Sequence, residues 1–150
     1  MYTLDEIRFM QTQAKNLQLK YPEVFLTMPP EELNDLINGY GPERWPETIR
    51  QIISWFFRHY PTPAAIHDVR YSTADGMEPT RKAADAEFAA NLHLVWKNRY
   101  GWLRFINPLA IYDAVKLRAA STLTSQFGRH AWQESYQRQC SGKSIIKVTQ

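Results

Sequence analysis

The chain has 150 residues, the size of one domain, and its 44% hydrophobic and 13% aromatic content excludes a largely disordered polymer. Eighteen Lys and Arg against fifteen Asp and Glu leave a net charge of +3, a mild excess that tolerates anionic surfaces but is too small to point to nucleic acid as a partner. Cys140 is the single cysteine, which excludes an intrachain disulfide and a cysteine-based metal cluster. No apolar run approaches the roughly 20 residues that span a bilayer. The start Met1–Glu6 lacks a basic stretch followed by an apolar one, so the expectation is cytoplasmic synthesis without a secretory signal.

Residues 4–20 carry Leu4, Ile7, Met10, Ala14 and Leu17 at the three-to-four spacing of an amphipathic helix, ended by Pro22. Thr27 is placed to cap a short helix near 30–37, with Glu31 and Glu32 favourable in its first turn. Asn38-Gly39-Tyr40-Gly41-Pro42 demands a turn. Pro46 opens a further helix striped by Ile49, Ile52, Ile53 and Phe56. Trp55 and Phe57 spill off that face, which reads as burial in the core, the alternative being an interfacial membrane anchor.

Pro61 and Pro63 close that helix, and a segment near 62–73 carries His67 and Tyr71. After the Asp75-Gly76 turn, a long helix near 79–99 shows Ala84, Phe88, Leu92, Val95 and Trp96 as its apolar side. Gly101 interrupts it, and Trp102, Leu103 and Phe105 read as filling a gap between helices. A last helix near 108–124 presents Leu109, Tyr112, Val115 and Leu123 as its apolar side. Arg129, His130, Arg138, Lys143 and Lys147 then read as a solvated polar tail over about 130–150. No stretch alternates with period two long enough for a strand, so the expected fold is all-α, without repeats.

The chemistry-bearing residues are His67-Asp68-Val69-Arg70-Tyr71 and, on the next helix, Ala84-Asp85. Residues four apart share a helix face, so His67 and Tyr71 point into one cleft while Asp68 points elsewhere. A neutral imidazole is the natural base near pH 7, and Asp85 on its other nitrogen would orient it. No serine or cysteine is placed to attack, which leaves water as nucleophile. Attack on an ester builds an oxyanion that needs a positive partner. A calcium ion held by Asp68 and by carbonyls of the glycine turn would serve. Read without chemistry, the same residues spell a short acid-rich turn at a helix start.

The glycine turn, Ala64-Ala65-Ile66-His67-Asp68-Val69-Arg70-Tyr71 and Ala84-Asp85-Ala86-Glu87-Phe88 together resemble the phospholipase A2 superfamily, and more closely its short, cysteine-poor members in phages, prophages and parvovirus capsid proteins. The resemblance covers about 38–118, including Ala110-Ile111-Tyr112-Asp113-Ala114-Val115, and leaves an N-terminal helical extension of about 1–37 and the C-terminal tail outside it. It implies two antiparallel helices carrying a His-Asp dyad and calcium-dependent hydrolysis of a glycerophospholipid ester at its middle position. His67 would be the base and Asp85 its partner. Tyr71 would brace Asp85 with help from Tyr112, and Asp68 with the carbonyls of Gly39, Gly41 and Glu43 would hold calcium. The substrate would be a phospholipid or membrane surface.

Two departures stand out. Secreted members staple the calcium loop to the catalytic helix by a disulfide, where this chain has Tyr40 and Ala64; and Pro42, Glu43 and Arg44 replace a fuller glycine run. A metal-dependent phosphohydrolase of the His-Asp class fits poorly, since His59 lies across two prolines from His67. The alternative from another class is a non-catalytic phage or prophage protein on the same scaffold, virion-associated and meeting other virion or host proteins.

Overall fold

The computed structural model describes residues 2–38 and 58–141, apart from the Asn38 and Phe127 side chains, and every element among them is helical. Helix α1 (Leu4–Asn16) begins with a reciprocal cap. The Thr3 hydroxyl accepts from the Glu6 N–H at 3.2 Å, and the Glu6 carboxylate accepts from the Thr3 N–H at 2.7 Å. The helix stops short of residue 20 because Gln18 takes a left-handed φ of 50°, after which the Leu19 N–H closes on the Ala14 carbonyl. Helix α2 (Val24–Thr27) and α3 (Pro30–Asn38) follow. Thr27 does not cap α3; it is the last residue of α2, and its hydroxyl donates back to the Glu23 carbonyl.

Helix α4 (Pro61–Ser72) starts on Pro61 and Pro63, which open this helix because the first turn has no use for their missing N–H groups. Gly76, at φ 76°, turns the chain into α5 (Glu78–Tyr100). The contacts His67–Phe88 and Tyr71–Asp85 run in opposite directions along the two helices, so α4 and α5 are antiparallel. A 3₁₀ turn (Gly101–Phe105) leads into α6 (Pro108–Cys140), capped by the Asn107 side chain. The core collects Ile7 and Met10 of α1, Phe25 of α2, Leu33 and Leu36 of α3, Ile66 and Val69 of α4 and Leu92 of α5. Each buried side chain of this size stabilises by about 1.5–3 kcal/mol. The helix expected from Pro46 lies outside the described residues.

Three expectations for the C-terminal half are overturned. Leu109, Tyr112 and Val115 do not face the core: they are 66%, 56% and 66% exposed, while Ala110, Asp113, Leu117, Ala120 and Thr124 are buried. Partners distant in the chain fix the inward side of α6: Asp113 accepts from the Tyr60 and Tyr100 hydroxyls, and the Trp96 indole donates to the Ala110 carbonyl. Trp102 and Phe105 fill no gap between helices and are 71% exposed. Residues 130–140 are not a tail but the last turns of α6. Trp132 and Ser135 are buried there, and the Gln139 amide donates to the carbonyls of Ser72 and Ala74 at 2.8 and 3.1 Å.

Candidate functional site

The α4–α5 pair meets around one carboxylate. Nε2 of His67 lies 3.2 Å from Oδ1 of Asp85, and the Tyr71 hydroxyl donates to the same oxygen at 2.8 Å. His67 and Tyr71 stand one turn apart on α4, and their rings lie 4.2 Å apart, with Phe88 against the other side of the imidazole at 4.6 Å. The other carboxylate oxygen, Oδ2, accepts from Arg81 at 2.5 Å, one turn earlier on α5. An ionised carboxylate only accepts, so the neutral imidazole tautomer that suits this contact carries its proton on Nε2 and keeps a lone pair on Nδ1. Only 11% of the His67 side chain and 6% of Asp85 is exposed, which keeps water from screening the contact.

Arg81 ties the cluster to its surroundings. It is buried on α5 and also donates to both carboxylate oxygens of Glu78 and to the Ser125 carbonyl of α6. Hydrogen bonds to Glu78, and then the Asp85 charge, hold its guanidinium more firmly protonated than usual. Burial first, then the Asp85 charge, pushes the Tyr71 hydroxyl above the ordinary phenol range. Helix α6 closes over this tyrosine: the Trp132 ring stands edge-on to it at 5.0 Å, and a Cβ on Gly128 would lie 2.2 Å from its hydroxyl. A bidentate Arg70–Glu87 pair, both bonds 2.9 Å, clamps α4 to α5 beside the cluster.

Asp68 leaves this group and is half-buried. Desolvation holds its carboxyl well above the ordinary carboxylate range, and among the described residues no hydrogen-bond donor meets it. Tyr2 lies near enough to feel its charge, which with burial as the larger cause pushes the Tyr2 hydroxyl up to about 12. Gly39, Gly41 and Glu43 lie outside the described residues. Among the described residues no three His, Cys, Asp or Glu side chains converge as a metal set. A desolvated carboxylate without a donor nonetheless suits a cation, since positive charge would offset its burial.

Tyr112 takes no part in the cluster; it is exposed, with the Lys116 ammonium 4.3 Å from its ring. Its neighbour Asp113 is the buried residue, and accepts from the hydroxyls of Tyr60 at 3.1 Å and Tyr100 at 2.7 Å. A groove of about 260 Å³ runs between α5 and α6, lined by Leu92, His93, Trp96, Leu117 and Arg118 among others; His67, Tyr71 and Asp85 are not part of it. Arg81 escaped the sequence reading although Glu78, Arg81 and Asp85 stand at helical ion-pair spacing. Gly128 was signalled only by being an isolated glycine inside a helix, a mark of close approach. No family model matches this chain, and no curated protein or solved structure matches it either.

Proposed function

We propose that the protein is a calcium-dependent, phospholipase A2-like hydrolase of glycerophospholipid esters. The observation that carries this reading is the His67–Asp85–Tyr71 cluster: a buried carboxylate on one imidazole nitrogen, with the other nitrogen free to accept a proton. In the proposed reaction Nδ1 of His67 takes a proton from water as the water oxygen attacks the ester carbonyl carbon. Asp85 stabilises the imidazolium that forms, and Nδ1 then returns the proton to the departing alkoxide. Tyr71 and Arg81 hold Asp85 in place. Calcium, when bound, would supply positive charge to the ester oxygen, and Asp68 is the described residue that suits it.

The test is calcium-dependent fatty-acid release from mixed phospholipid vesicles. His67→Gln is expected to lower the rate about a hundred- to ten-thousand-fold, the usual contribution of a general base. Release by that variant at the wild-type rate would sink the mechanism. Calcium at one hundred times its dissociation constant should stabilise the wild type by about 2.7 kcal/mol in thermal unfolding. Asp68→Asn should lose that increment. A second reading, a non-catalytic phage or virion component on this scaffold, is favoured by Arg81: its ion pair already offsets the Asp85 charge that an imidazolium would use. On that reading no vesicle hydrolysis is seen, and a copurifying virion protein is expected.

A further inference from the structure

The corner where α5 turns into α6 carries most of the large apolar side chains that the described residues leave in solvent. Trp102, Phe105 and Ile106 of the corner and Leu109, Tyr112 and Val115 of α6 are all more than half exposed. On α6 these residues lie opposite Ala110, Asp113 and Leu117, the side packed into the molecule. The corner is held in place. Arg104 donates to the Gly101 carbonyl, the Leu103 carbonyl accepts from Ile106 and Asn107, and the Trp96 indole donates to the Ala110 carbonyl at 3.0 Å. The apolar groups are therefore presented by an ordered scaffold, and a contiguous patch of this kind marks an interaction surface.

The charges around the patch select the occupant. From Lys97 to Arg118 the chain has five cations, Lys97, Arg99, Arg104, Lys116 and Arg118, and one acid, Asp113. That acid is buried and bonded to Tyr60 and Tyr100, so the outward-facing charge of this stretch is positive. Two of the cations stand against aromatic rings of the patch: the Arg104 guanidinium lies 4.3 Å from the Phe105 ring, and the Lys116 ammonium lies 4.3 Å from that of Tyr112. Long cationic side chains lying over exposed rings suit the boundary of a bilayer, where the flexible stems let the charge reach up to the phosphates while the rings turn toward the acyl region. No helix among the described residues is long and apolar enough to cross a membrane.

We infer that the Trp102–Val115 corner docks this protein on an anionic lipid bilayer, lying on the surface with Trp102 and Phe105 inserted. The inference concerns a surface separate from the His67 cluster and does not depend on hydrolysis. The experiment is cosedimentation of the full chain with vesicles of phosphatidylcholine alone or mixed with phosphatidylglycerol. Binding to the mixed vesicles that weakens steeply with salt, with little binding to phosphatidylcholine alone, is expected. The double variant Trp102→Ser/Phe105→Ser should bind at least about tenfold more weakly with an unchanged melting temperature, since surface positions contribute little to folding. His67→Gln should bind like the wild type, so failure of docking and failure of catalysis are read separately. Absence of binding to mixed vesicles at low salt, or equal binding by the double variant, would overturn the inference. So would a lipid-free dimer that the same two substitutions dissociate, which would make the patch a contact between copies.

Discussion

Two buried aspartates stand in the described part of this molecule, and they are built alike. Asp85 and Asp113 are each 7% exposed, each accepts at least one tyrosine hydroxyl, and each has an arginine near it. The difference lies in one ring. Asp85 has an imidazole at 3.2 Å, whereas Asp113 has a second tyrosine in its place and an Arg99 nitrogen only at 4.0 Å. A carboxylate bonded by tyrosines and paired with arginine is thus a device this fold uses to join helices, and burial alone says nothing about catalysis. The imidazole sets the first node apart, because only a group that exchanges protons near neutral pH can act as a base there.

The most discriminating experiment pairs the two aspartates. Asp85→Asn and Asp113→Asn should both destabilise, by about 1–3 kcal/mol in urea unfolding, since each loses a buried charge-assisted acceptor. Vesicle hydrolysis should fall about a hundred- to ten-thousand-fold in Asp85→Asn alone. Equal losses of activity after correction for folded fraction would make Asp85 a structural joint like Asp113.

Arg81→Met comes next. It removes the counter-charge from a buried carboxylate and should cost about 3–5 kcal/mol, read as a lower melting temperature. Arg99→Met at the looser node should cost much less, because its contact with Asp113 is longer and its side chain is 45% exposed.

Gly128→Ala sharpens the role of Tyr71. The added methyl overlaps the tyrosine hydroxyl, and overpacking costs about 1–3 kcal/mol, against which helix propensity returns about 1 kcal/mol. Stability should change by less than about 2 kcal/mol while hydrolysis falls, because the hydroxyl must move off Asp85.

Acidification gives a smaller effect. Hydrogen bonds from Arg81, then Arg129, hold the Glu78 carboxyl down at about 2 against an ordinary value of 4.5. The resulting stability is present above pH 4.5 and is lost as pH falls towards 2. Glu78→Gln should flatten that part of the urea-midpoint curve. The smallest effect is expected from Tyr112→Phe, within about 0.5 kcal/mol and without change in hydrolysis, since the ring is exposed.

Much of the helical order was legible from local rules. Three-to-four spacing located α1, Pro79 and the Asp75-Gly76 turn located α5, and α4 was bounded to within a residue or two, although Pro61 and Pro63 were read as ending the helix before it and not as opening this one. The antiparallel pairing that lets His67 meet Asp85 was expected only from the family resemblance; in the structure the turn at Gly76 brings α4 and α5 together. The outward side of α6 was misread for a physical reason. Apolar spacing identifies a side that avoids water on average, but here partners distant in the chain fixed the inward side, Tyr60 and Tyr100 on Asp113 and Trp96 on the Ala110 carbonyl. Ala110, Asp113 and Leu117 therefore face inward, and Leu109, Tyr112 and Val115 were left outside. Nothing local announced that Tyr60 and Tyr100 would converge on Asp113.

The chain by itself determined an all-helical molecule, the order of its helices and one histidine spaced to reach an acid on the next helix. Those follow from interactions between residues a few positions apart. The third dimension decided which tyrosines reached Asp113, which residues closed over Tyr71 and which apolar side of α6 stayed in water. Each of these depends on contacts between residues far apart in the chain, Tyr60 with Asp113 and Tyr71 with Trp132 among them, which no local spacing records.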